Sequence, residues 1–325
     1  MNDSAPPALS LATLWQLVRQ TVSSWSDDYA PSMGAALAYY TMFSIAPLLL
    51  IVVSVAGMVF GQDAARGEVF NQLERLMGTQ GAAAVEGLLL SVSKPSESAI
   101  AALIGMVVLL VGATTVFAEL QSALDRIWRA PARPTGGLWS LLRARLLSIG
   151  MILGLGFLVM VSLLLSAALS AFEKWWSPMF GGWATLAQSV NLAVGFVLTT
   201  TIFAMIYKFM PRVRVAWRDV GVGAAVTSLL FTVGKFLIGL YIGRAGVTSA
   251  FGAAGSLAVM LLWVYYSAQI FLLGAEFTWV YAHTFGSRAG CDVPPVPEIP
   301  SQSATPDSAP LKPHRQRAAS PGSVP

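Results

Sequence analysis

The sequence is poor in the residues that build metal, redox and disulfide sites. Among 325 residues there are one cysteine, Cys291, and two histidines. A single cysteine excludes an intramolecular disulfide, and two histidines leave little material for a metal centre based on imidazole. A P-loop, the common signature of ATP-driven proteins, is also missing. We therefore expect no metal ion, no cofactor and no ATP-driven chemistry.

Charged residues are scarce as well. They make up 11% of the chain, against about 25% in ordinary soluble domains. Hydrophobic residues make up 55%, and the mean hydropathy is +0.66. A water-soluble domain could not cover so much apolar surface, so these values predict an all-α integral membrane protein. The net charge of +4 is not taken as a sign of nucleic-acid binding, because the position of the basic residues along the chain matters more than their sum.

Long apolar runs are what the sequence has in abundance. A helix needs about 20 residues to cross about 30 Å of hydrocarbon, and six runs are near or above that length. We therefore predict a bundle of six transmembrane helices. Residues 1–33 show no cleavable signal sequence, so the first span is expected to act as the insertion signal. The predicted spans are 34–60, 98–119, 146–171, 184–207, 219–243 and 253–281.

The basic residues between these spans predict their orientation. The segments 1–33, 120–145, 208–218 and 282–325 together hold 14 Lys and Arg, whereas the alternating segments 61–97, 172–183 and 244–252 hold 5. Cytoplasmic loops carry the excess of positive charge. Both termini are therefore predicted to be cytoplasmic, which agrees with an even number of spans.

Three segments outside the spans have a readable pattern. The stretch LATLWQLVRQTVSSW, 11–25, places Leu11, Leu14 and Trp25 on one helical face, as expected of a helix lying on the cytoplasmic surface of the bilayer or packing under the bundle. Residues 61–97 are predicted to be the main periplasmic segment, in which 68–92 form one or two amphipathic helices with a break at 78–81. The Pro-rich residues 282–325 predict a disordered cytoplasmic tail.

Arginines cluster at the predicted cytoplasmic surface. Their guanidinium groups are available to lipid phosphates, and the alternative is anchoring by positive charge without a specific ligand. The candidate head-group contacts are Arg126, Arg129, Arg133, Arg143, Arg145, Arg212, Arg214 and Arg218.

The most unusual residue within the spans is Lys235, in the run LLFTVGKFLIGLYIG. An ammonium inside hydrocarbon costs about 3 to 10 kcal/mol or more. It lies about 12 Å from the outer end of the fifth span, while Gln188 and Asn191 lie about 6 and 10 Å from the outer end of the fourth. We predict that Lys235 faces the bundle, shares a polar layer with these residues and presents a positive charge to an anionic or zwitterionic solute in a central cavity. The alternative is that Lys235 caps carbonyl groups freed at a helix break near Gly234.

A second polar layer is predicted on the cytoplasmic side. Glu276 lies about 8 Å from the inner end of the sixth span, and Glu119 lies at the inner end of the second. We assign both to a gate, with Lys208, Arg143 or Arg145 as the counter-charge. Hydration of unpaired carboxylates by the membrane interface is the alternative.

The first span contains small, polar and kink-forming residues. Pro47 removes an amide and clashes with the carbonyl of Phe43, which predicts a kink. Such kinks line binding sites in transporters, and they also occur in helices that only pack. The further residues that we assign to a pathway are Tyr39, Tyr40, Ser44 and Pro47, together with Gln269 of the last span.

Three stretches carry a family resemblance. GAALAYYTMFSIAPLLL, 34–50, and TSAFGAAGSLAVMLLWVYYSAQIFLLGAEF, 248–277, resemble the first-span and last-span signatures of the YihY/BrkB family of bacterial inner-membrane proteins. LQSALDRIWRAP, 120–131, fits the region after the second span, where many members have Asn in place of Asp125. The resemblance covers about residues 20–285. It implies a multi-pass inner-membrane protein with no established activity, for which transport or export is proposed in some members and an old ribonuclease label exists in others.

The residues discriminate between three functions, namely a nuclease, a transporter or exporter, and a scaffold. A metal-dependent nuclease needs converging carboxylates or histidines, and the cytoplasmic acids here are scattered over different helix ends, so we expect no nuclease and no other enzyme. Transport or export of a small or amphipathic, anionic or lipid-like solute is the main expectation. A scaffold that organises the envelope without a pathway is the alternative. The expected partners are the bilayer and such a solute, without nucleic acid, and self-association stays open.

Overall fold

The computed structural model describes residues 10–92, 115–131, 183–244 and 255–291. These residues form helices and connecting turns, with no strand among them, which confirms the all-α prediction for this part of the chain. The helix α4 is described over residues 115–127. The other helices are α1 (Leu11–Asp27), α2 (Ala30–Phe60), α3 (Gln62–Val92), α5 (Trp183–Phe209), α6 (Trp217–Arg244) and α7 (Gly255–Thr284).

Three of these helices are long and apolar enough to cross a membrane. The qualifying stretches are Leu192–Phe209 in α5, Trp217–Ile242 in α6 and Leu257–Thr284 in α7. They match the fourth, fifth and sixth predicted spans. The helix α2 covers the first predicted span, whereas the second and third, 98–119 and 146–171, and the tail fall wholly or mostly outside the described residues. The count of six spans therefore stays a prediction.

A sharp turn separates α1 from α2. Tyr29 has a φ of 57° in the left-handed region, which non-glycine residues adopt rarely. Pro31 follows in the first turn of α2, where its missing amide hydrogen costs no helical hydrogen bond. The turn leaves Asp28 as the C-cap of α1, directed into the bundle and 2% exposed. Beyond the turn, α2 remains helical through Pro47, so the kink predicted there stays a prediction.

The predicted break in the segment after α2 is wrong. Helix α3 runs unbroken from Gln62 to Val92, through Gly78 and Gly81. Its buried residues Ala84 and Val85 pack in a cluster with Ile238 and Ile242 of α6 and with residues of α7. Small side chains on this face let α3 lie close to the end of the bundle where α6 ends and α7 begins. We call this the α3 end.

The larger core lies at the opposite end of the bundle. There the last turns of α4, α5 and α7 meet α1 and the start of α6. Because many of the arginines counted above lie here, we call it the basic end, and charge predicts that it is cytoplasmic. The largest fully buried apolar side chains of this core are Trp128, Tyr207, Leu124, Ile127 and Leu272.

Close contact between α6 and α7 depends on two glycines. A Cβ atom at Gly223 would overlap the Thr278 side chain, and one at Gly274 would overlap Thr227 and Tyr207. Glycine therefore allows the two backbones to approach, as is common between membrane helices. Helix α6 continues through Gly234, where the alternative role for Lys235 requires a break.

Candidate functional site

Two buried carboxyl groups meet at the basic end. Glu276 of α7 is fully buried, and neither of its oxygens has a partner of good hydrogen-bonding geometry among the described residues. The carboxyl group of Asp28 faces it, close enough for direct interaction. Buried acids ordinarily have hydrogen-bond partners or a counter-ion. This pair, which we call the carboxyl pair, is therefore the most unusual polar feature of the described structure.

Local backbone structure directs Asp28 towards α7. Its amide donates a hydrogen bond to the Ser24 carbonyl at 2.9 Å, which closes the last turn of α1. The left-handed Tyr29 then reverses the chain into α2. One helix-ending turn therefore holds the Asp28 side chain beneath Glu276, and α7 supplies Glu276 from a helix interior.

Two arginines flank the carboxyl pair. The Arg126 Nε atom lies 3.9 Å from the Asp28 Oδ1 atom, and its guanidinium group lies 5.4 Å from the centre of the Tyr29 ring. The Arg129 guanidinium group lies 4.6 Å from the Trp279 ring centre and acts electrostatically on both carboxyl groups. Aromatic faces attract cations. Both guanidinium groups are thus held beside the acids by aromatic rings.

Burial governs the protonation of Asp28. It raises the pKa of this carboxyl group above the ordinary value of 3.8, while Arg129 and Arg126 oppose the shift. Loss of water penalises the charged form of an acid, and nearby positive charge favours it.

The described residues contain no group of three or more His, Cys, Asp or Glu placed to hold a metal ion.

Two contacts, which we call the polar clamps, lie at the basic end of the bundle, as the carboxyl pair does. Asp125, in the last turn of α4, accepts a hydrogen bond from the Arg212 amide at 2.8 Å and forms an ion pair with the Arg212 Nε atom at 3.0 Å. Asp219 of α6 accepts hydrogen bonds from the Ser287 hydroxyl at 2.6 Å and from its amide at 3.2 Å. These contacts fix α4 to the α5–α6 turn, and α6 to the segment after α7.

The predicted gate residues lie in different surroundings. Glu119 is partly buried on α4. The Lys208 ammonium donates to the Val215 carbonyl and lies 5.3 Å from the Trp217 ring centre. The charged groups that act on Glu276 are instead Asp28, Arg129 and Asp27. The other predicted counter-charges, Arg143 and Arg145, lie outside the described residues.

The predicted head-group arginines divide into two kinds. Arg126 and Arg129 turn inward to the carboxyl pair, and Arg212 pairs with Asp125. Arg214 and Arg218 are exposed at the basic end. Head-group contact stays a prediction, and the geometry favours an internal role for the inward pair. Arg133 lies outside the described residues, with Arg143 and Arg145.

Lys235 is exposed on α6. Ser228, two turns earlier on the same helical face, donates to the Phe196 carbonyl of α5 at 3.3 Å. The two helices run antiparallel, so a step of seven residues forward on α6, from Ser228 to Lys235, corresponds to about seven residues backward on α5. Lys235 therefore lies at the level of about residue 189 of α5. This register places Lys235 level with the segment that contains Gln188 and Asn191. Their side chains are outside the described structure, so the shared polar layer stays a prediction.

Polar groups of α2 and α7 have local partners. The Ser44 hydroxyl donates to the Thr41 carbonyl of its own helix at 3.1 Å. Tyr39 is 55% exposed and packs edge-on against Tyr40, with ring centres 5.5 Å apart. The Gln269 amide donates to the Pro31 carbonyl at 3.3 Å, which ties α7 to the start of α2. The Pro47 side chain is not among those described, and no pathway through these residues is defined here.

Helix α1 has two different apolar surfaces. Leu17 is buried against the bundle core. Trp15, Val18 and Val22 are 69%, 49% and 50% exposed. Packing under the bundle therefore accounts for one face, and an exposed apolar stripe is left on another, as an interfacial helix would have.

Sequence reasoning found Glu276 and missed most of its surroundings. It identified Glu276 as an acid within an apolar helix. The sequence does not distinguish Asp28 from the other cytoplasmic acids, and it predicts that Arg126 and Arg129 contact lipid head groups. A sequence signal for these surroundings was the stretch IWRAP, which combines an aromatic and a cationic residue. In the structure Arg129 of this stretch lies over the Trp279 ring, and Arg288 lies over its Trp128 ring.

Comparison with known proteins gives a consistent family. Residues 21–292 match the family model described as virulence factor BrkB. The chain is similar to a UPF0761 membrane protein of Pseudomonas aeruginosa, with 29% identity over 76% of this chain and 58% of that protein. The chain therefore matches little more than half of the length of this relative.

Two other relatives are covered more completely. The chain is 30% identical to a UPF0761 membrane protein of Psychromonas ingrahamii, over 74% of this chain and 79% of that protein. It is also 30% identical to one of Tolumonas auensis, over 77% and 80% of the two chains. No solved structure matches the chain.

Proposed function

We propose that this chain, which belongs to the virulence factor BrkB family of membrane proteins, transports or exports a small or amphipathic solute across the bacterial inner membrane. The proposal includes cytoplasmic termini and the absence of enzymatic activity. Support comes from the three described helices that are long and apolar enough to cross a membrane, which contain Leu192–Phe209, Trp217–Ile242 and Leu257–Thr284.

The observation that carries this proposal is Glu276. It is fully buried in an apolar helix that is long enough to span the bilayer, and its oxygens lack good partners in the described structure. An ionisable group in such a place is costly, and it is retained in membrane proteins mainly where it serves a pathway or a relay. A purely structural acid would be expected to have a full set of hydrogen bonds.

The charges around the site favour a solute that carries negative charge. Arg126 and Arg129 lie beside the carboxyl pair at the basic end. Lys235 is exposed and lies nearer the α3 end. Guanidinium and ammonium groups bind carboxylates and phosphates. We therefore infer an anionic or zwitterionic, amphipathic solute.

The two polar clamps give one specific reason to keep a scaffold function as the alternative. The Asp125–Arg212 and Asp219–Ser287 contacts fix several chain segments at the basic end. Transport requires alternating access, with one part of the bundle moving against another. A scaffold function needs no such movement, but it does not explain why the Glu276 oxygens lack good hydrogen-bond partners among the described residues.

Uptake into proteoliposomes tests the proposal. The purified protein, its Glu276→Gln variant and a Glu86→Gln control would be reconstituted, because Glu86 is exposed on α3. The probes are radiolabelled taurocholate, oleate and lysophosphatidylglycerol, and uptake is measured with an imposed pH gradient and without one. We expect uptake of at least one probe by the wild type and the control, lowered about tenfold or more by Glu276→Gln, equivalent to about 1.4 kcal/mol. Uptake that is equal to that of empty liposomes for every probe, or unaffected by Glu276→Gln, contradicts the proposal.

A further inference from the structure

We propose that Asp28 and Glu276 form a proton-binding site, in which one proton is shared between the two carboxyl groups. The further statement that this proton is the coupling ion rests on the proposed transport function. Proton binding itself does not depend on it.

The proposal starts from the mutual burial of two acids. Asp28 is 2% exposed and Glu276 is 0% exposed. Two carboxylates that share a buried site repel each other, so one of them retains its proton. A shared proton turns that repulsion into a short, charge-assisted hydrogen bond between the two groups. The protonated pair is therefore the arrangement that burial favours.

The neighbouring arginines do not replace this proton. The Arg126 Nε atom lies 3.9 Å from Asp28, beyond hydrogen-bonding distance. Arg129 lies against the Trp279 ring, and neither Glu276 oxygen accepts a hydrogen bond from any residue of the described ranges at good geometry. Within those ranges, the charged groups that face the pair are Asp27 on α1, Arg126 in the last turn of α4 and Arg129 just after α4.

Release of the proton would change the balance between these groups. A second carboxylate charge repels the first and attracts the guanidinium groups, which the Tyr29 and Trp279 rings now hold nearby. Asp28 belongs to the turn that begins α2, and Gln269 ties that turn to α7 two helical turns before Glu276. Proton occupancy is thereby linked to the position of α2 relative to α7, which are elements that a transport cycle would move.

Infrared titration of the purified protein measures the proton directly. The wild type and Glu86→Gln should show the band of a protonated carboxyl group at a pH where exposed acids are ionised, and the band should disappear as the pH rises further. Glu276→Gln and Asp28→Asn should each remove or shift it. A wild type without such a band, or a band that is unchanged in both variants, overturns the proposal.

A measurement on the wild type alone keeps the test independent of variant folding. Dicyclohexylcarbodiimide reacts with protonated carboxyl groups in apolar surroundings, and mass spectrometry locates the adduct. We expect modification of Glu276 or Asp28 that declines as the pH rises, with Glu86 unmodified. Modification spread over exposed acids, or the absence of adduct at both residues of the pair, overturns the proposal.

The same measurements separate the proton site from the transport proposal. Titration of the pair without uptake of any probe leaves the proton site standing and contradicts transport. Uptake without a titrating pair contradicts the proton site alone. Uptake that an imposed pH gradient does not change, with a titrating pair, contradicts the role of the proton as the coupling ion.

Discussion

The Tyr207 hydroxyl of α5 donates a hydrogen bond to the Phe271 carbonyl of α7 at 2.7 Å. The same hydroxyl lies 3.1 Å from the Thr227 hydroxyl of α6, so one buried oxygen joins three helices. Removal of a buried hydrogen bond costs about 0.5–1.5 kcal/mol. We expect Tyr207→Phe to fold and to have a lower thermal unfolding midpoint in detergent.

Tyr241→Phe is the matched control, because Tyr241 is 57% exposed on α6. It should unfold at the wild-type temperature. Equal midpoints for the Tyr207 and Tyr241 variants would show that the three-helix contact does not contribute measurably to stability.

The two glycines between α6 and α7 lead to the second prediction. Gly223→Ala and Gly274→Ala place a methyl group where Thr278, or Thr227 and Tyr207, already lie. Overpacking of this kind costs about 1–3 kcal/mol, and it should lower the unfolding midpoint or the yield of folded protein. Gly221→Ala is the control, since no described atom lies within 4 Å of the added carbon. A midpoint for Gly223→Ala and Gly274→Ala equal to that of Gly221→Ala would refute the close approach.

The sequence predicted the helices well and the contacts between them poorly. Apolar run length is a local property, and the predicted spans 184–207, 219–243 and 253–281 agree closely with α5, α6 and α7. The break predicted at 78–81 failed because glycine lowers helix propensity by only about 1 kcal/mol. Packing of the small face of α3 against α6 and α7 outweighs this cost.

The candidate site was predictable only in part. The cost of an acid in hydrocarbon identifies Glu276 from the sequence alone. Its neighbour Asp28 belongs to an interhelical turn at the other end of the chain, and that contact depends on how α1 and α7 pack. Taken locally, the stretch RIWRAP, 126–131, predicts that Arg126 and Arg129 are exposed. The aromatic rings that turn them inward come from Tyr29 and Trp279, on other elements.

The protonation of Asp28 predicts a dependence of stability on pH. Because burial raises its pKa, the folded protein retains a proton that the unfolded chain releases near the ordinary value of 3.8. The unfolded chain therefore binds fewer protons in this window, and the stability from Asp28 falls as the pH rises above 3.8 towards the folded-state pKa.

Thermal unfolding at a series of pH values in this window measures the effect. Asp28→Asn should flatten the dependence, because the amide does not titrate. Asp63→Asn is the control, since Asp63 is exposed on α3 and is not among the groups that act on the carboxyl pair, and it should keep the wild-type slope. Identical slopes in the two variants would assign the dependence to other groups.

The membrane orientation can be measured with single thiols. Cys291 is exposed after α7 and should react with an impermeant maleimide only after spheroplasts are lysed. In a Cys291→Ser background, Thr79→Cys should react in intact spheroplasts, because Thr79 is exposed on α3. The opposite pattern, or reaction of both positions in intact cells, would contradict cytoplasmic termini.

The last prediction concerns Lys235. Its side chain reaches about 6 Å, which brings the ammonium only part of the way from a depth of about 12 Å to the outer interface. Helix α6 is continuous through Gly234, so this part of the structure offers no freed carbonyl groups for Lys235 to cap. Contact with an anionic solute is the role that we propose for Lys235.

Lys235→Met separates that role from a structural one. Removal of a costly charge should leave insertion and the unfolding midpoint unchanged or improved. Under the transport proposal, uptake of an anionic probe should fall about tenfold, equivalent to about 1.4 kcal/mol, and Lys235→Arg should retain most of it because the charge is kept. Leu237→Met, at an exposed apolar position nearby, controls for the new side chain. Full uptake by a stable Met variant would exclude Lys235 from the pathway, and a parallel loss in the Leu237 variant would assign the effect to packing.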